Sequence, residues 1–231
     1  MNNRITLALI IFITSFLSCT ESPTMTSTID KYFELVRPEF KGDVAFETTS
    51  FVEKYWRVAG NTGFNESVYR IVAKLEEAGY VLESKANATD RLTYRIETRE
   101  MDKPTWEPVD GSLSIVGVSE KLLDQSTNRN MVFLNSASTP EGGVTADVVY
   151  IQNMDELKSK KVKGKIVFAE MSPRKLYNDA IEAGAIGIIT YDNPAYLQPE
   201  KNKTSIQFRS LLYDEKIMEW GIALSNEENE K

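Results

Sequence analysis

Apolar residues recur every three to four positions in three stretches near the start of the chain, the spacing of one helix face. Ile29, Tyr32, Phe33 and Val36 form the first, with Ser27 or Thr28 as its cap and Pro38 as its stop. Asp43 is placed to cap a second helix, with Val44, Thr48, Phe51, Val52 and Tyr55 along one side. The sequence predicts a third helix after Asn65 as N-cap. Val68, Ile71, Val72, Leu75 and Ala78 form its apolar stripe, Glu66, Arg70, Lys74, Glu76 and Glu77 face water, and Gly79 is a C′ stop. Burying the larger side chains of that stripe is worth roughly 1.5–3 kcal/mol each before entropy is subtracted, so the helix needs a partner surface. Residues 57–63, with Gly60 and Gly63, read as a loop ahead of it.

Beyond Gly79 the period shortens. Residues 80–84 and 92–98 read as strands around a polar turn at Asn87, Ala88, Thr89 and Asp90. From Pro104 onward the chain predicts short strands at 112–118, 131–134 and 144–151, one helical turn at 155–158, and a compact buried strand at 166–170. Ser172 and Pro173 then mark a helix start, the Ser oxygen as cap and Pro at the first position, where its missing N–H costs nothing. Leu176, Tyr177, Ala180 and Ile181 are its buried face, Gly184 ends it, and 185–191 returns as a strand around Gly187. Strand, helix and strand within about 25 residues make a βαβ unit. The fold class is therefore α/β (α+β), a helical lead at 29–103 followed by a mixed-sheet domain at 104–231.

The first residues have a different logic. A positively charged start at 1–4, an apolar run at 5–17 and then Ser18-Cys19 make the three-part layout of an export signal, too short to span a bilayer comfortably. Phe16-Leu17-Ser18-Cys19 resembles a bacterial lipobox, with Phe where Leu more often stands, and predicts cleavage before Cys19 and diacylglyceryl attachment to its thiol. Acyl chains supply about 0.8 kcal/mol per buried CH₂, enough for several to hold a protein on a membrane. Residues 1–18 are thus the lipoprotein signal peptide and 19–28, rich in Ser, Thr and Pro, a tether. The localisation expected is the bacterial cell envelope, periplasm or cell surface, with the membrane as a partner through Cys19.

Composition narrows the chemistry. The chain has 231 residues and a net charge of −7, which disfavours nucleic acid as a partner. One Cys excludes an internal disulfide. The absence of His excludes a Ser-His-Asp triad, a Cys-His pair and any His-ligated zinc.

Two motif groups carry a resemblance. KVKGKIVFAE at 161–170 followed by DAIEAGAIGIITYDNP at 179–194 resembles the protease-associated domain, with its Gly-Lys-Ile-Val strand and its alanine-rich helix running into Gly-Ala and an apolar strand. Gly187 is read there as room for a neighbouring backbone. The lead, with Arg57, Gly60 and Gly63 before a helix ending at Gly79, is similar to the opening of exported zinc aminopeptidases with an inserted protease-associated domain. That is metallopeptidase family twenty-eight, the aminopeptidase Y and glutamate carboxypeptidase class. PTWEPVDGSLSI at 104–115 and STPEGGVTADVVYI at 138–151 look like the same family.

The resemblance implies peptide hydrolysis at two zinc ions held by residues after the inserted domain, and none of those ligands nor the Glu base has a counterpart here. The expectation is a chain with no catalytic or metal-ligating residue and no cofactor of its own, truncated before the zinc site and inactive alone. The inserted domain is expected to be incomplete at its C-terminal end. Its partner would be a separate catalytic segment. The alternative is a stand-alone, lipid-anchored protease-associated module that binds a peptide or protein.

Other features carry blander readings. Asp147, Asp155, Glu156, Asp179 and Glu182 are scattered acids expected in solvent, and the five lysines of residues 158–165 a solvated turn. Trp56, Trp106 and Trp220 are expected to pack rather than to line a groove. Arg57-x-x-Gly60-x-x-Gly63 lacks the Gly-Lys-Ser/Thr ending of a phosphate loop.

Overall fold

The computed structural model describes residues 28–231. Cys19 and the signal and tether expectations lie outside the described residues. Two compact units divide the chain after Phe51.

In the first unit, α1 (Thr28–Val36) and α2 (Asp43–Val52) form where the apolar spacing predicts them. Thr28 and Asp43 are the first residues of their helices rather than residues ahead of them. No residue of α2 is buried.

The second unit begins with α3 (Thr62–Glu77). Its N-cap is Asn61 and not Asn65: the Asn61 side chain accepts from Phe64 N–H at 2.8 Å. The cause is Gly63, which lets the first turn pass so close to Tyr55 and Trp56 that the helix begins inside the predicted loop. The C-terminal stop is as read, with Gly79 at φ +85°. Gly79 N–H donates to Glu76 O and Tyr80 N–H to Leu75 O, which is a Schellman closure. Only Gly63 of this helix is buried, so its apolar stripe is half-covered. Beyond it β1 (Val81–Leu82) pairs in parallel with β2 (Thr93–Tyr94).

The remaining chain makes an antiparallel pair, β3 (Ser112–Ser114) with β4 (Lys121–Asp124), and a four-stranded parallel sheet. The sheet's strands lie in spatial order β5 (Val148–Ile151), β6 (Ile166–Ala169), β7 (Gly187–Thr190) and β8 (Trp220–Ala223). Between them run α4 (Met154–Ser159) and α5 (Pro173–Glu182), and α6 (Asn226–Asn229) follows. The βαβ unit is therefore β6–α5–β7, with β7 parallel to β6. The start of α5 differs in one respect: the Ser172 side chain makes no capping bond, and its backbone carbonyl accepts from Lys175 N–H instead. The end of α5 repeats the Schellman closure, with Gly184 at φ +91° and Ala185 N–H on Ala180 O.

Residues 131–134 are not a full strand. They make single bridges to β8 and to Ser210, and the chain then turns out of register at Asn135, φ +70°. Even so, Met131 and Phe133 are fully buried and complete the core beside Ile151, Val167, Leu176 and Ile188.

A candidate binding groove on one face of the sheet

The sheet register decides which side chains share a face. Val148 pairs with Ile166, Ile166 with Gly187, and Gly187 with Trp220. With side chains alternating along each strand, Val148, Tyr150, Ile166, Phe168, Ile189, Trp220 and Ile222 lie on one face. The opposite face presents Val149, Ile151, Val167, Ala169, Ile188 and Thr190, and the buried Leu176, Tyr177 and Ala180 of α5 belong to the same core.

A parallel sheet normally has helices on both faces. Here a groove of about 1150 Å³ runs between the Val148–Ile222 face and the β3–β4 region, with Glu228 and Asn229 of α6 also in its lining. Val148, Ile166, Phe168, Ile189 and Ile222 lie beneath it, of which Ile166, Ile189 and Ile222 are buried in the core, and Leu113, Ile115 and Val116 form its wall. Trp220 lies along the floor because Gly187 has no side chain: a Cβ there would sit 2.4 Å from the indole ring. The space Gly187 leaves is thus filled by a side chain, not by the neighbouring backbone the sequence suggests. Tyr150 and Phe168 pack with ring centroids 5.4 Å apart.

One end of the groove is polar and is set by the lead. Trp56 packs edge-on against Trp106 at 6.1 Å and tilts against Phe208 at 4.8 Å. The indole N–H of Trp56 donates to Arg129 O, and that of Trp106 to Ser136 O at 3.0 Å. These bonds fix the segment carrying Glu107 and Asp110. The Glu107 carboxylate accepts from the Thr62 N–H and from its hydroxyl at 2.9 Å, at the N-terminus of α3, where the helix dipole favours an anion. Gln125 Oε1 is buried and accepts no hydrogen bond. Glu107, Asp110 and Gln125 also line a smaller pocket of about 370 Å³, whose other walls include Lys54 and Arg129.

At the opposite end, α6 closes the carboxyl edge of the sheet, where open α/β sheets usually bind ligands. Ser225 and Glu228 form a capping box, Tyr191 O–H donates to Asn226 Oδ1 at 3.2 Å, and Asn229 Nδ2 to Glu170 Oε1 at 3.0 Å. Burial pushes the Tyr191 phenol up, with the charges of Glu200, Glu170 and Glu230 adding to the shift. The groove along the face is the larger of these two cavities.

The scattered acids come together nowhere. Asp147 pairs with Lys165 at 3.2 Å and Glu156 with Lys160 at 2.8 Å, and the Lys160 bond holds the Glu156 carboxyl below its usual range. Lys160, one of the five lysines read as a solvated turn, also donates to Tyr150 O at 2.8 Å. The sequence reading missed the β8 strand, the Ser225–Glu228 cap and the groove itself. The Ser-x-x-Glu spacing at 225–228 was the available signal for the cap.

The structure is similar to that of BSAP, a zinc aminopeptidase from Bacillus subtilis, with a TM-score of 0.50 and 19% sequence identity. The match covers 83% of this chain and 40% of that one. An aminopeptidase from Aneurinibacillus sp. strain AM-1 aligns over 84% of this chain and 40% of its own, with 17% identity and a TM-score of 0.39. The chain thus spans about 40% of the length of each. At such identity the likeness to BSAP is one of fold. No family model and no curated protein matches the chain. Among the described residues no group of three or more His, Cys, Asp or Glu is placed to hold a metal ion. Since the chain has no His, its donor set does not fit the nitrogen- and sulfur-preferring zinc ion. No helix among the described residues is long and apolar enough to cross a membrane.

Proposed function

We propose that this chain forms the non-catalytic front part of an aminopeptidase-like protein of metallopeptidase family twenty-eight, its lead at 29–103 followed by a protease-associated domain at 104–231. The carrying observation is the partial likeness: 83% of this chain aligns with 40% of a zinc aminopeptidase. The order of the sequence motifs supports the same reading. Peptide hydrolysis then requires a zinc-bearing catalytic segment from outside these residues. The exposed apolar side chains of α1 and α2, among them Tyr32, Phe33 and Phe46, suit a portion that is covered in a larger assembly.

The test is reconstitution. The full chain is mixed with the catalytic segment of the Bacillus subtilis aminopeptidase, freed of the region this chain matches. The expected result is zinc-dependent cleavage of an amino-acid anilide in the mixture and none from the chain alone. No gain over the catalytic segment alone contradicts the proposal.

A second reading is favoured by the groove: a lipid-anchored protease-associated module that captures a peptide or protein. Under both readings we propose that Cys19 carries the lipid, with the mature chain held at the cell envelope. Cys19→Ala is expected to lose the lipid mass and to leave the membrane fraction. Retention in membranes after export contradicts this.

A further inference from the structure

We propose that the Asp110–Gly111 bond is a site of spontaneous aspartate isomerisation, a covalent modification that loosens the segment at the polar end of the groove. It needs no zinc and no partner, and so holds under either functional reading.

The sequence holds a single Asp-Gly pair and no Asn-Gly pair. Glycine has no side chain to oppose ring closure between its amide nitrogen and the preceding carboxyl carbon. The fold adds proximity. Gly111 N–H donates to Asp110 Oδ1 at 2.7 Å, so the nitrogen already lies against the carboxyl group it would attack. Asp110 is exposed and Val109 before it is 93% exposed, so water reaches the bond.

Two other candidate bonds are guarded. At Asn135–Ser136 the Ser136 N–H donates to Phe133 O at 3.0 Å, and the Asn135 amide donates to Leu211 O at 3.0 Å. At Asn61–Thr62 the Thr62 N–H donates to the Glu107 carboxylate at 3.3 Å, and Asn61 is buried with its amide on Trp106 O. In both, the attacking nitrogen is turned to another acceptor.

The step balances without an oxidant or a co-reactant other than water. The Gly111 nitrogen loses its proton and bonds to Asp110 Cγ. The hydroxyl of the protonated carboxyl leaves with that proton as water, closing a succinimide. Water then adds to one of the ring's carbonyl carbons, and that carbon's bond to the Gly111 nitrogen breaks. Opening at Cγ restores aspartate. Opening at the main-chain carbonyl leaves an isoaspartyl linkage of the same mass, with the chain running through Cβ and Cγ and the former main-chain carboxyl free.

The isoaspartyl chain is longer by one methylene, and it falls between anchored points. On one side the Trp106 indole donates to Ser136 O and its carbonyl accepts from Asn61. On the other, Gly111 O accepts from Gln125 N–H at 2.9 Å as the β3–β4 pair begins. Gly111 also packs closely on Val132, where a Cβ would lie 2.8 Å from Cγ2. The added length is therefore taken up at the cost of these contacts.

The test is ageing of the full chain in warm, mildly acidic buffer. Isoaspartate is counted by methyl transfer from S-adenosylmethionine with an isoaspartyl methyltransferase and located by peptide mapping with electron-transfer fragmentation. It is expected at residue 110 at a level about tenfold or more above any other position within residues 28–231. The folded chain is expected to form it at a rate within about tenfold of the chain unfolded in guanidinium, because the fold holds the nitrogen on the carboxyl. Asp110→Glu, an exposed position with a side chain too long for the same ring, is expected to lose the signal with unchanged circular dichroism. The aged parent protein is expected to unfold at a lower temperature than fresh protein, and the aged variant is not. A smaller excess at residue 110, a slower folded-state rate than that, or a signal that survives in Asp110→Glu overturns the assignment of the site. An unfolding temperature that ageing leaves unchanged, or lowers equally in the variant, overturns the loosening. None of these results bears on zinc-dependent hydrolysis, so the reconstitution is decided separately.

Discussion

Gly63 sits in the first turn of α3, where a Cβ would lie 2.4 Å from the Trp56 carbonyl oxygen and 2.6 Å from Tyr55 Cβ. The backbone oxygen cannot swing away as a flexible side chain would, so overpacking is the dominant cost of any substitution. Gly63→Ala is expected to destabilise the second unit by about 1–3 kcal/mol in urea unfolding, despite alanine's better helix propensity. A neutral or stabilised variant contradicts the close approach. Asn61 next to it is buried, and its amide also donates to Trp106 O at 3.3 Å. The sequence predicts Asn65 as the cap, and the structure uses Asn61. What separates them is the contact between Gly63 and a residue seven positions earlier, which helix periodicity does not encode.

Asp124 gives a pH dependence with a definite sign. Bonds from the Lys121 ammonium and from the Ser126 hydroxyl and N–H hold its carboxyl well below the ordinary value of 3.8. A depressed acid contributes stability that is full above its unfolded value and is lost as pH falls through the folded one. The β3–β4 pair is therefore expected to loosen in acid below about pH 3.8. Asp124→Asn is expected to flatten that part of the stability curve, measured by thermal unfolding across the acid range. An unchanged acid limb in the variant contradicts this.

Helix ends and strand edges differ in how much of them the sequence carries. The stops at Gly79 and Gly184 are legible because a Schellman closure needs only one residue with positive φ just past a periodic run. The β8 strand is not, since Trp220, Gly221, Ile222 and Ala223 are all buried and show no alternation. Its place comes from register with β7, which is a long-range property. The β5 edge is protected by residues that look like ordinary surface charge: Lys160 caps Tyr150 O, and Glu156 caps Gln152 N–H. Lys160→Met is expected to open this edge and raise self-association, read by light scattering as a concentration-dependent rise in mass. A variant as monodisperse as the parent protein contradicts that role.

In the whole molecule the β6–α5–β7 unit follows from local signals, while the all-parallel order of the four strands, where the sequence predicts a mixed sheet, and the groove do not. The groove exists because the register aligns Val148, Ile166, Ile189 and Ile222 on one face, under the β3–β4 region, and only Val148 of the four is exposed. Aromatic packing decides where its polar end lies: Trp56 packs edge-on against Trp106, and the tryptophans expected only to pack also line cavities, Trp56 the smaller pocket and Trp106 and Trp220 the groove. The chemistry is narrower than the fold. A chain without His, whose described acids are dispersed, shares a fold with part of a zinc aminopeptidase and brings no cluster of metal-ligating side chains together among its described residues.

The measurement that bears most directly on that account is zinc content of the purified full chain after equilibration with a zinc buffer, with peptide hydrolysis followed on the same sample. The account predicts zinc well below one ion per chain and no hydrolysis above buffer. One or more tightly held zinc ions per chain, accompanied by cleavage, would contradict it and place a catalytic centre within these residues.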